Sequence, residues 1–62
     1  MLSFNNIRVG FNYKTLEIAK EQPYPIMIED QHDGDGCIIE LSLDQARWLR
    51  DNIDYVIKKL EN

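Results

Sequence analysis

One cysteine and one histidine, Cys37 and His32, are all that this 62-residue chain offers as thiol or imidazole. A lone thiol excludes an intrachain disulfide, and one Cys with one His falls short of the four ligands of a closed zinc site. Only three glycines are present, Gly10, Gly34 and Gly36, and their spacing matches neither phosphate-cradling loop pattern. No run approaches the ~18 consecutive apolar residues of a membrane span. The opening Met1-Leu2-Ser3-Phe4-Asn5-Asn6 lacks the basic-then-apolar plan of a signal peptide. The expected compartment is therefore the cytoplasm, which the unpaired thiol also suits. Positive charge is scarce as well. Seven Lys and Arg face eleven Asp and Glu, a formal net charge of -4 and a pI near 4.7, which disfavours binding driven mainly by nucleic-acid phosphates or an anionic membrane surface.

What is present is a chain for one domain, residues 1–62, with 44% hydrophobic residues. A domain this small buries only ~60% of the surface its unfolded chain exposes, so its core is marginal without help. With disulfide and metal excluded, self-association is the remaining aid, and a homodimer is expected.

Ile7, Val9, Phe11 and Tyr13 alternate with polar residues and Gly10, the pattern of a strand with one apolar face. Leu16 and Ile18 alternate with Thr15, Glu17 and Ala19, predicting a second strand that ends before Gln22-Pro23-Tyr24-Pro25, where two prolines deny ladder donors. Ile26, Met27 and Ile28 predict a third strand and Cys37 to Leu41 a fourth, joined by a segment with two Asp-Gly pairs that reads as a hairpin turn. From Leu43 the period becomes helical. Ser42 with Gln45 has the spacing of a capping box. Ala46, Leu49, Ile53, Val56 and Leu60 recur at intervals of three and four, and Lys58 and Lys59 suit the C-terminal end of the helix dipole. Spacings of four also offer ion pairs: Arg47 with Asp51, Arg50 with Asp54, and Asp54 with Lys58. The expected fold is α+β, an antiparallel sheet of about four strands followed by one long C-terminal helix packed on it, ββββα. At ~1.5 Å per residue a helix from Leu43 to Glu61 spans roughly 28 Å, more than a sheet of short strands can cover.

Glu29, Asp30, Asp33 and Asp35 place four carboxylates around His32 with no basic residue between them. Neither register of this segment gives the sixth-position Gly and twelfth-position Glu of a calcium-binding EF-hand loop. It reads as a solvated turn in which Asp-Gly pairs supply positive φ, with a weak cation site or an acidic docking patch as its functional versions. His32 falls in the loop while Cys37 opens a strand, so the pair lacks the arrangement of a nucleophile with its base, and Cys37 reads as a small buried hydrophobe. A chain of this size has little concave volume in which to desolvate a carboxylate, so no catalytic residue, metal or cofactor is expected. Trp48 and Tyr55 lie beside the apolar stripe of the helix and, with Leu43, Ile57 and Leu60, widen it beyond one partner surface. Trp48, Ile53, Tyr55, Val56 and Leu60 are therefore expected in a twofold dimer interface. Basic and aromatic residues also interleave early in the chain, as Phe4, Arg8, Phe11, Tyr13, Lys14, Lys20 and Tyr24. Single-strand binders combine such groups. Alternation places Arg8 and Lys14 opposite Phe11 and Tyr13, so these aromatics read as core.

The element order, together with Ile39-Glu40-Leu41-Ser42-Leu43-Asp44-Gln45-Ala46-Arg47-Trp48-Leu49 at the strand-to-helix junction, resembles the positive cofactor four family of transcriptional coactivators. The resemblance implies a homodimer formed through the helices and sheets that bind single-stranded DNA without strong sequence preference. Arg8, Lys14 and Lys20 are the residues that would serve such binding here. The acidic balance points elsewhere, to a small non-enzymatic adaptor or inhibitor whose surface engages the basic groove of a larger protein.

Overall fold

The structure, a computed structural model, describes residues 2–31 and 36–62. Four strands, β1 (Leu2–Phe4), β2 (Ile7–Phe11), β3 (Ile26–Asp30) and β4 (Cys37–Leu41), form one antiparallel sheet in sequential order. A short helix α1 (Leu16–Lys20) lies between β2 and β3, and the 19-residue helix α2 (Leu43–Glu61) closes the chain. The four-stranded sheet followed by a long C-terminal helix is the mixed α+β fold expected from the sequence. β4 and α2 begin and end at the predicted residues.

Four assignments change, the smallest being β3, which runs on past Ile28 to Asp30. The segment from Thr15 to Ala19 is a helix, not a strand. Thr15 adopts an extended cap conformation and its hydroxyl accepts from the Ile18 amide, while Glu17 and Lys20 suit the two ends of the helix dipole. A strand here could not pair with β2, because β1 and β3 already fill both of its edges. β2 also stops at Phe11 and not at Tyr13. The Asn12 backbone amide donates to the Pro25 carbonyl (2.9 Å) and its side-chain amide to the Tyr24 carbonyl (3.0 Å), which turns the chain out of the sheet. The fourth strand comes from β1, which no periodicity announces, since three residues carry no period. Its signal is the turn after it: Asn5 has φ 55°, a left-handed conformation that Asn tolerates better than most residues. Asn6 then fastens the turn, its side-chain amide donating to the Asp30 carboxylate.

Pairing sorts the sheet into two faces. One is nearly all apolar and consists of three rows. The first runs Phe11, Ile26, Leu41; the second Leu2, Val9, Ile28, Ile39; the third Phe4, Ile7, Asp30, Cys37. The other face carries Ser3, Arg8, Gly10, Glu29 and Glu40 with Met27 and Ile38 among them. α1 and Leu43 gather at the first row, where Leu16, Ala19 and Leu43 line a groove with Phe11 and Ile26. Among the described residues the second and third rows have no helix over them, and Tyr13 lines a shallower groove with Leu2 and Val9.

α2 starts where the sequence says it should. The Ser42 hydroxyl accepts from the Gln45 amide (3.1 Å) and the Gln45 side-chain carbonyl accepts from the Ser42 amide (2.8 Å), a complete capping box. The helix meets the sheet mainly at β4, from which it springs, and only its first turns are partly covered: Ala46, Leu49 and Asn52 are half-buried, and every residue beyond Asn52 is exposed. Of the expected helix ion pairs, Lys58–Asp54 forms at 2.9 Å, whereas Arg47 reaches back to Asp44 (3.3 Å) and Arg50 turns to its neighbour Asp51 (3.1 Å). All three are solvated pairs of small energetic weight.

Candidate interaction surface

No enclosed chemistry emerges among the described residues, but a large apolar surface does. Among the described residues Ala19, 2% exposed, is the one buried hydrophobe, and no polar or charged residue is buried. Leu2, Phe4, Ile7, Phe11 and Ile39 stand open on the sheet, with Phe4 78% exposed. Ile53, Val56, Ile57 and Leu60 stand open on α2, with Leu60 80% exposed. The total accessible area is 5347 Å², against about 4,200 Å² for a compact monomer of this mass. The radius of gyration is 13.2 Å, against about 10.6 Å for a compact 62-residue domain. The chain thus exposes about 1,200 Å² more than a compact monomer of its mass, and its exposed large apolar side chains include rows on one sheet face and a stripe along α2.

The residues singled out from the sequence fall on this frame as follows. Trp48, Ile53, Tyr55, Val56 and Leu60 are all exposed along α2. Trp48 lines a shallow groove with Leu41, Gln45 and Leu49, and the Lys59 ammonium sits 5.5 Å from the centre of the Tyr55 ring. At 100° per residue, Ala46, Leu49, Ile53, Val56, Ile57 and Leu60 share one arc of the helix, while Trp48 and Tyr55 lie well to its side.

The acidic segment is only partly described. Asp33 and Asp35, with His32 and the Asp33-Gly34 turn, lie outside the described residues. Glu29 and Asp30 are neighbours on β3 and therefore point to opposite faces. Glu29 accepts from Arg8 (3.2 Å) and from the Gln31 side chain (3.1 Å) on the polar face, while Asp30 is held by Asn6 at the edge of the apolar one. Of the four carboxylates of the expected acidic patch, the two described ones thus lie on opposite faces of the sheet.

Cys37 is exposed, which corrects the reading of it as a buried hydrophobe: β4 is the last strand of the sheet and its row of the apolar face is uncovered. Phe11 is likewise exposed rather than core. No protein-family model, no curated protein and no solved structure matches the chain. The candidate nucleic-acid residues sit on three different elements. Arg8 is on the polar face of β2 and paired with Glu29, Lys14 follows the strand, and Lys20 is on α1 beside the groove that contains Phe11. Among the described residues no group of three or more His, Cys, Asp or Glu is placed to hold a metal ion, and no helix is long and apolar enough to cross a membrane.

Proposed function

We propose that the protein is a small, acidic, non-enzymatic interaction protein that works as a homodimer in the cytoplasm and acts by binding a larger protein, as an adaptor or inhibitor. The observation that carries this reading is the apolar surface that one protomer leaves in water. Contiguous exposed apolar patches beyond a few hundred Å² are rare on monomers and mark association sites. The net charge of -4 sets the sign of the larger partner. An acidic surface is steered toward a basic groove and repelled by other acidic proteins.

Sedimentation equilibrium at low micromolar concentration tests self-association, and a single 7.3 kDa species refutes it. Charge reversal at Asp33 and Asp35 tests the partner-binding part, with Asp30 left intact because Asn6 holds it on the apolar sheet face. If association with a basic partner is unchanged, the acidic segment is not the contact.

A second reading has its own support. Phe4 and Phe11 are exposed on one sheet face, and Lys20 borders the Phe11 groove, the elements of a stacking platform for single-stranded nucleic acid. This is the function implied by resemblance to the positive cofactor four family. Anisotropy of a labelled single-stranded oligonucleotide decides it: micromolar binding that weakens steeply with salt supports it, and no binding at low salt removes it.

A further inference from the structure

We infer that the projecting half of α2 in each protomer lies across the apolar sheet face of a second copy, so that two chains complete one another's cores. This rests on the homodimer reading and specifies its geometry.

The protomer contains two apolar surfaces that its own connectivity keeps apart. Ser42 alone separates Leu41 of β4 from Leu43 of α2, and it is extended (φ -71°, ψ 165°) and fixed by both hydrogen bonds of the capping box. So short and so constrained a link sends α2 off the end of β4 instead of folding it back over the sheet. Ala46 and Leu49 are half-buried beside that junction, and the rest of the same stripe, Ile53, Val56, Ile57 and Leu60, runs on into solvent. Among the described residues the second and third rows of the sheet keep Leu2, Phe4, Ile7 and Ile39 exposed, with Ile28 half-buried.

The two surfaces match in size. From Ile53 to Leu60 the helix rises about 11 Å, and four strands at about 4.8 Å spacing set their outer axes about 14 Å apart. A twofold axis that places one helix on the partner's sheet places the second helix on the first sheet, so both faces are covered by one operation. Burying the excess of about 1,200 Å² on each copy removes about 2,400 Å² in total, within the range of obligate homodimers, roughly 2,000–5,000 Å². The arrangement leaves Trp48 and Tyr55 at its rim. It leaves the face of Ser3, Arg8, Glu29 and Glu40 as the sheet surface available to a larger partner.

Complementation between two variants tests the geometry. Ile28→Asp damages the sheet face and Val56→Lys the helix stripe, so each alone places an unpaired charge in both contacts of its dimer, and association weakens at least tenfold. Mixed in equal amounts, they form a heterodimer in which one contact is intact and the other sets the introduced carboxylate against the introduced ammonium, and dimer reappears. If Ile28→Asp dimerises like the unaltered protein, the sheet is not in the interface and the inference fails. Should either variant not fold, isotope-filtered NOE spectra of the unaltered protein, with labelled and unlabelled chains mixed, decide the matter. Intermolecular contacts from the Ile53, Val56 and Leu60 methyls to those of Val9, Ile28 and Ile39 support the arrangement. Contacts from helix to helix alone overturn it while the homodimer stands, and a monomer by sedimentation overturns both.

Discussion

Replacing Ile53 by Ala bears most directly on self-association, because Ile53 lies in the middle of the α2 stripe where that stripe leaves its own sheet. The side chain is 47% exposed in the protomer. Burying a whole Ile side chain contributes about 1.5–3 kcal/mol, so covering the exposed half contributes about 1 kcal/mol. A twofold interface contains the residue twice. The expected loss is therefore about 2 kcal/mol per dimer, close to a 30-fold rise in the dissociation constant. Incomplete closure around the smaller side chain would add to it. Ala is the better helix former, so α2 itself is preserved and helix loss cannot account for weaker association. A sedimentation-equilibrium dilution series, with far-UV circular dichroism on the same samples, measures both quantities. Asp51→Ala is the control. Asp51 is on the solvated side of α2, paired only with its neighbour Arg50, and its removal should leave the constant within a factor of about two. If Ile53→Ala also stays within threefold of the unaltered protein at unchanged helix content, the stripe is not an interface and the area argument is wrong.

Ser42→Ala removes the hydroxyl that caps α2 and should cost about 1 kcal/mol, lowering the thermal midpoint by about 4–8 °C in a domain of this size; an unchanged melting curve would show that the capping box is not holding the helix start. Asn5→Val puts a β-branched residue at φ 55° and should cost about 1–2 kcal/mol by urea denaturation, whereas Asn5→Gly is tolerated. Equal midpoints for Val and Gly would contradict the left-handed turn. Asp54→Ala breaks only the solvated pair with Lys58 and should change stability by no more than about 0.5 kcal/mol; a larger loss would mean that the polar side of α2 is also buried in the assembly.

An open protomer has a consequence for any partner. The proposed self-association and single-strand stacking would compete for the same sheet face, since Phe4 and Phe11 share it with Val9, Ile28 and Ile39. Oligonucleotide binding that falls as dimer forms would reveal that competition, whereas a partner on the polar face would bind monomer and dimer alike.

Features that depend on near neighbours in the chain were legible in the sequence, because the information that sets them is local. The α2 boundaries follow from Ser42 with Gln45 and from a stripe five residues deep; β4 follows from its run of Cys37-Ile38-Ile39-Glu40-Leu41 after Asp-Gly. The five residues at Leu16–Lys20 fit either period. Their helical state was decided by Thr15 as a cap and by β1 occupying the edge of β2 that a strand there could have used. β1 in turn needed the Asn5 turn to bring three residues into register, a pairing that no pattern within those residues encodes.

The surface was legible in kind but not in place. Alternation and the helical period name the apolar residues, and Ile53, Val56 and Leu60, set apart in the sequence as wider than one chain's core requires, are exposed. It cannot say that Phe11 and Cys37 would be exposed, because burial belongs to whatever lies opposite a side chain. That was settled by the direction in which Ser42 releases α2 from β4. Periodicity is carried by each element alone, and so the sequence determined the elements and their apolar faces. Whether two such faces meet depends on the link between them, and here a single constrained residue kept them apart, a decision made only in the tertiary structure.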